Sequence, residues 1–231
     1  MKPAEPGRDY RPLVRDSYDR IAGAYNRMRT SEADDVLAPL IGLLCEGARV
    51  LDLGCGAGVP VTRALATRFD VTGVDISGEQ IALAREQVPA AHFLHADMAG
   101  CTFPPASFDA VVSFYAIFHL PLEEQPTLLA RVAGWLKSGG YLMATLARVH
   151  EEGYTEDDFF GTEMYWSNLS LREYRALLMA NGFEVLSNAD TGHGYSDEAA
   201  RPESHPLVFA RKLRPEADGS PLTSRRASSP S

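Results

Sequence analysis

Residues 50–60, VLDLGCGAGVP, constrain this chain more than any other stretch. An apolar run ends in an aspartate and then three glycines at alternate positions, Gly54, Gly56 and Gly58. Glycine tolerates positive φ and lets backbone amides approach a ligand closely. A plain strand-to-helix turn needs one such residue rather than three. The spacing excludes two nucleotide patterns. A G-x-G-x-x-G turn starting at Gly54 or Gly56 would need glycine where Val59 or Val61 stands. A phosphate loop would need a Gly-Lys-Ser/Thr that does not follow. What remains is Asp52-x-Gly54-x-Gly56-x-Gly58.

The flanking pattern makes this turn part of an α/β sheet. Strand-like runs at 49–54, 70–76, 91–97, 108–115 and 141–148 alternate with helix-like stretches at 60–69, 77–88 and 123–137. The first four runs are apolar or β-branched at nearly every position, as buried parallel strands are. Ser77, with Glu79 and Gln80 behind it, reads as a helix start, and Lys137 followed by SGG as a helix stop. After residue 148 the rhythm breaks. Residues 149–169 are acidic and aromatic with no clear period, and a helix ending at Gly182 and two closing strands at 183–190 and 205–212 follow. Gly192 and Gly194 mark the loop between those strands. Residues 213–231 have almost nothing to bury and are expected to be disordered, and RRAS before Ser228 is read as a chance kinase-site match. With 231 residues and 45 % hydrophobic content, one core spanning 1–212 is expected, with residues 10–45 as a helical cap.

Charge and cysteine usage narrow the partners. Acidic residues outnumber basic ones 31 to 22, a net charge of −9, which argues against a phosphate-backbone substrate. No apolar run is long enough to span a membrane, and the polar start shows no signal-peptide pattern. Cys45, Cys55 and Cys101 are an odd number without C-x-x-C spacing, so a reducing, cytoplasmic setting is expected.

With these residues in place the chain resembles the class I S-adenosylmethionine-dependent methyltransferases, over roughly residues 10 to 212. The resemblance implies a Rossmann-like fold: a mostly parallel seven-stranded sheet, helices on both faces, the N-terminal cap and a lid after the fifth strand. It implies that the turn with Asp52, Gly54, Cys55 and Gly56 holds the amino-acid end of S-adenosylmethionine. Asp75, ending the second strand in VTGVDIS, would take the ribose hydroxyls, and Asp97 in HADM the adenine amino group, with Ile76 and Met98 flanking the ring. Ser113 and Phe114, after the fourth strand, belong to the same cofactor set. The N-terminal SYDRIAGAYNRM is similar to small-molecule members related to quinone-biosynthesis methyltransferases. There Tyr18 and Tyr25, seven apart and so on one helical face, would close over the cofactor, although a buried stripe has the same spacing.

The acceptor side is read from His119 in FYAIFHLP, the best candidate for a base, with local backbone hydrogen bonding as its other reading. His92, His95, His150, His193 and His205 form no ligand set, and no metal is expected. The Asn/Asp-Pro-Pro-Tyr of enzymes acting on the amino groups of bases is missing, because Ser113-Phe114-Tyr115-Ala116 stands in its place. Tyr115, Tyr165 and Trp166 are the expected acceptor contacts, the last two on a mobile lid at 151–166. The expected reaction is O-methylation of a small molecule. N- or C-methylation and a non-catalytic cofactor-binding module stay open, as does the oligomeric state.

Overall fold

The computed structural model describes residues 1–28, 33–191 and 205–214. The loop at Gly192 and Gly194, the tail beyond residue 214 and Ser228 lie outside the described residues. The chain opens with a two-residue strand, β1 (Lys2–Pro3), and two helices, α1 (Arg11–Met28) and α2 (Asp34–Ile41). The central sheet is then built from β2 (Arg49–Leu53), β3 (Asp70–Asp75), β4 (His92–His95), β5 (Phe108–Ser113) and β6 (Leu136–Thr145). The crossover helices are α3 (Val61–Ala66), α4 (Gly78–Gln87) and α5 (Gln125–Trp135). A hairpin, β7 (Glu151–Phe159) and β8 (Thr162–Asn168), precedes α6 (Leu171–Ala180) and the closing strands β9 (Phe183–Thr191) and β10 (His205–Lys212).

Seven strands pair in the order β4-β3-β2-β5-β6-β10-β9, and β10 alone runs opposite to the other six. Chain order reverses between β2 and β5. At such a switch point the crossovers leave on opposite faces, and a crevice opens beyond the carboxyl ends of the strands. The glycine turn follows β2 at that place.

Both sheet faces are covered, and strand alternation shows it. Leu51, Val111, Leu142 and Val208 pack in one cluster with Leu128, Leu129 and Val132 of α5 and Tyr174 and Leu178 of α6. Their neighbours Val50, Val112, Met143 and Leu207 pack in another, with Leu37 and Leu40 of α2 and Val61 and Leu65 of α3. Adjacent strand residues point to opposite faces, so helices lie on both sides, as the sequence implied. The start signal at Ser77 is seen directly, its hydroxyl accepting from the Gln80 N–H at 3.1 Å. No helix among the described residues is long and apolar enough to cross a membrane.

Two expectations are corrected. The fifth strand starts at Leu136 rather than 141, because Leu136 already pairs with Phe108 across an irregularity that the Lys-Ser-Gly-Gly stretch accommodates. Residues 149–169 are not an irregular segment. β7 and β8 pair antiparallel, and β1 adds to the outer edge of β7 through Lys2 opposite Thr155 and Pro3 opposite Tyr154. Phe160 and Gly161 form the two-residue turn between paired Phe159 and Thr162, with φ of 54° and 79°. Both signs match the hairpin turns whose twist suits the flanking strands.

Candidate functional site

The crevice at the switch point is a cleft walled by the glycine turn, the end of β3, the loop after β5 and α1. Its floor is the glycine turn, where three glycines do three different jobs. Gly54 has φ +74° and is pressed against the loop after β5: a Cβ there would lie 2.2 Å from the Ala116 Cβ. Gly56 has φ +54° and faces open space, its nearest neighbour being Gln80 Oε1 at 3.9 Å. Gly58 backs onto Val88 and Phe93 in the core.

Asp75, at the end of β3, stands beside the turn. One carboxylate oxygen accepts from the Gly56 N–H at 2.8 Å and the other from the Ser77 N–H at 2.9 Å. Burial raises its pKa above the usual carboxylate range, outweighing these two amides, and the Asp19 carboxylate pushes the same way. The neighbouring Cys55 thiol is also pushed well up, by burial first and then by Asp75 and Asp52, so it is a neutral lining group. Ile76, Asp97 and Met98 line the cleft further along. Asp97 accepts from the Ala99 N–H at 2.9 Å and faces Arg11 at 3.6 Å.

The roof is α1. Arg11, Val14, Tyr18, Tyr25 and Asn26 line the cleft, and the Tyr18 and Tyr25 rings meet edge to face at 5.4 Å. Two polar contacts fix this helix over the floor. Asp19 accepts from the Ser77 hydroxyl at 2.6 Å and the Glu79 N–H at 3.2 Å, tying α1 to the start of α4. Arg11 donates to both oxygens of Glu124 at 2.9 and 3.0 Å. The hairpin clamps α1 from above: the Ser17 hydroxyl donates to the Glu163 carbonyl at 2.6 Å, and Tyr10 stacks on Tyr165 at 4.3 Å.

His119 joins roof, hairpin and sheet. Its Nδ1 lies 2.8 Å from the Tyr165 carbonyl and its Nε2 lies 2.9 Å from the Tyr18 hydroxyl. A carbonyl can only accept, so Nδ1 carries the proton and Nε2 accepts from Tyr18. Burial lowers the pKa to about 4, the Tyr165 contact opposing it only in part. The imidazole is therefore neutral at ordinary pH, with both nitrogens engaged. Next to it Tyr115 holds φ of +57°, unusual for a bulky residue, with its N–H donating to the Thr145 hydroxyl.

Most of the residues singled out in the sequence are gathered on the cleft wall: Tyr18, Tyr25, Gly54, Cys55, Gly56, Asp75, Ile76, Asp97, Met98, Phe114, Tyr115 and His119. Four are placed elsewhere. Asp52 is buried beneath the turn and accepts from the Thr62 hydroxyl at 2.6 Å. Ser113 is buried and donates to the Leu53 carbonyl at 2.9 Å, joining β5 to β2. Tyr165 is buried and stacked on Tyr10, off the cleft wall. Trp166 packs between His119, Tyr154 and Phe159, not on the cleft wall. Of the acids in the hairpin, Glu152, Glu156, Asp157 and Asp158 are exposed and Glu151 and Glu163 half-buried, as charged groups on an outer strand should be. Among the described residues no group of His, Cys, Asp and Glu is arranged to hold a metal.

Arg11, Asp19 and Gln80 were not read from the sequence. Arg11 and Asp19 act across 113 and 58 residues of chain, where no local pattern shows them. Gln80 carried only a helix-start signal.

Residues 50–140 match a family described as a methyltransferase domain. Over 180 residues, 70 % of the chain, it is 32 % identical to the 27-O-demethylrifamycin SV methyltransferase of Amycolatopsis mediterranei, and over 131 residues it is 37 % identical to a trans-aconitate 2-methyltransferase of Variovorax paradoxus. The chain spans 62 % and 49 % of the lengths of these two relatives, and 55 % of the chain is matched by the second. Among solved structures, the magnesium protoporphyrin IX methyltransferase of Synechocystis, with S-adenosylmethionine bound, superposes with a TM-score of 0.68 at 18 % identity, over 90 % of this chain and all of that one.

Proposed function

We propose that this chain, which belongs to the class I methyltransferases, moves a methyl group from S-adenosylmethionine to a small-molecule acceptor, with oxygen as the receiving atom. The observation that carries the reading is the carboxylate of Asp75 beside an open glycine turn at the switch point. Such a corner suits a ligand with hydroxyl donors on one side and a chain lying over Gly56 on the other. Asp97 offers an acceptor for an exocyclic amino group, and Ile76 and Met98 offer apolar faces for a ring. These residues fit the cofactor that the motifs imply.

When bound, the sulfonium cofactor supplies an activated methyl group. The protein's own work is alignment and exclusion of water. Tyr18, Tyr25, Phe114, Tyr115, His119 and Leu120 wall the rest of the cleft. This aromatic side is the acceptor region in our reading, and α1 shields it from solvent. Oxygen is favoured by the absence of the amino-group motif after β5 and by the name of the rifamycin relative.

We assign His119 to positioning rather than to proton abstraction. Its Nε2 lone pair is taken by Tyr18, and its low basicity makes it a weak acceptor of an acceptor's proton. Replacement by glutamine, which can bond to the same two partners, should keep most turnover, and the rate should show no inflection near pH 6.5. A hundredfold loss in kcat with unchanged cofactor affinity would return His119 to the role of base.

Incubation of the protein with methyl-labelled cofactor and a metabolite extract tests the whole reading. Label in an organic-extractable small molecule supports it. Tight binding of S-adenosylhomocysteine without any transfer would instead identify a cofactor-binding module.

A further inference from the structure

We propose that the Gln80 carboxamide is a second polar grip on the cofactor, holding, together with Asp75, one hydroxyl of its ribose. The proposal rests on the cofactor assignment above. Gln80 lies in the first turn of α4 and is 1 % exposed. Both Oε1 and Nε2 are buried and neither has a hydrogen-bond partner in the protein. Buried polar groups are paired as a rule, and an unpaired one is costly. A methionine or leucine would fill the same volume without that cost. In the protein alone this amide contributes nothing that an apolar side chain would not.

Its position says what would pair with it. Gln80 lines the cleft, and its Oε1 is 3.9 Å from the place of a Cβ on Gly56, the residue whose N–H donates to Asp75. Amide and carboxylate therefore flank the same glycine. Asp75 accepts only, and each of its oxygens already takes one backbone N–H, leaving lone pairs for a hydroxyl donor. A hydroxyl that donates to Asp75 keeps its own lone pairs unmet, and the unpartnered Nε2–H₂ group of Gln80 supplies a donor for them. An ammonium would leave Nε2 without an acceptor, and a ligand carboxylate would be repelled by Asp75. A hydroxyl, or a pair of adjacent hydroxyls, satisfies both side chains.

The test is calorimetric titration of wild type, Gln80→Met and Gln80→Leu with S-adenosylhomocysteine and with its 2′-deoxy and 3′-deoxy analogues, alongside urea unfolding of the ligand-free proteins. Both variants should bind S-adenosylhomocysteine about tenfold more weakly. For the analogue lacking the contacted hydroxyl, the difference from wild type should shrink to less than about threefold. The ligand-free variants should unfold at the same or higher urea concentration than wild type. Variant affinity within twofold of wild type overturns the proposal, as does an equal loss for all three ligands or a parallel loss of stability. The deciding quantity is how the variant-to-wild-type ratio changes from one ligand to the next, so a general weakening of the fold does not imitate the result. Failure of the wild type itself to bind S-adenosylhomocysteine would overturn the cofactor assignment and this proposal with it, and is told apart by that measurement alone.

Discussion

The floor and the roof of the cleft are made by different means. The floor is backbone: a turn with three left-handed glycines, amide groups aimed at one carboxylate, and a helix start beside it. The roof is side chains: Tyr10 on Tyr165, Tyr18 on His119, and Phe159 and Trp166 in contact, drawn from three distant parts of the chain. A floor of backbone tolerates few residue types at each position but depends on few partners. A roof of packed rings accepts many residue types but depends on all its partners at once. Substitutions in the two regions should therefore fail in different ways.

The largest effect is expected in the roof. Tyr165→Ala removes a buried ring stacked between α1 and the hairpin, and should cost about 3–5 kcal/mol of stability. Urea unfolding checks it. A stable variant whose only defect is a raised acceptor KM would restore Tyr165 to the substrate pocket and break the contrast.

In the floor, Gly54→Ala and Gly56→Ala should separate fold from binding. The added Cβ at Gly54 meets Ala116 and is strained as well, so about 3 kcal/mol of stability should be lost. At Gly56 the strain alone should cost about 1 kcal/mol. The methyl group enters the cleft there, so cofactor affinity should fall in a protein that still folds. Equal stability losses in the two variants would contradict the different jobs assigned to these glycines.

His119 links the two regions and gives a pH test. Its pKa is depressed in the folded protein, from 6.5 to about 4, so the unfolded chain binds the proton more readily between those values. Its contribution is present above pH 6.5 and is lost as pH falls toward 4, about 3 kcal/mol in all. His119→Gln should flatten that part of the stability curve. An unchanged slope would show that other groups set it.

The smallest effect is expected at the latch between roof and floor. Asp19→Asn weakens the contact with the start of α4 and should cost about 1 kcal/mol. Hydrogen exchange should then rise in α1 while the amides of β2 and β5 stay protected. Uniform loss of protection would mean that the roof is not a separable unit.

The same contrast explains what could be read from the sequence. Gly54 and Gly56 were legible because a tight turn demands glycine, Ser77 because a helix start favours it, and Asp75 because it ends a strand at the place the resemblance gives to an acid. The inner strands β2 and β5 were legible because burial on both faces leaves nearly continuous apolar runs. The hairpin was not. Its two-residue turn carries Phe160 where asparagine or aspartate usually announces such a turn, so Gly161 alone gave a weak signal. Its rings serve α1 and His119 as well as one another, which erases the simple alternation of a half-buried strand. Arg11 and Asp19 find their partners only when the chain is folded, and residues 2–3 have too little length to announce a strand.

The central claim is that the floor corner built on Asp75 holds the cofactor. Titration of S-adenosylhomocysteine into wild type and Asp75→Ala tests it most directly. Losing two charge-assisted hydrogen bonds should cost on the order of 3 kcal/mol, somewhat more than a hundredfold in Kd. In the wild type, affinity should also fall on acidification at a pH above the ordinary carboxylate range, because burial raises the pKa of Asp75 and only the ionised form accepts from both sides. A folded Asp75→Ala protein that binds within twofold of wild type would contradict the account.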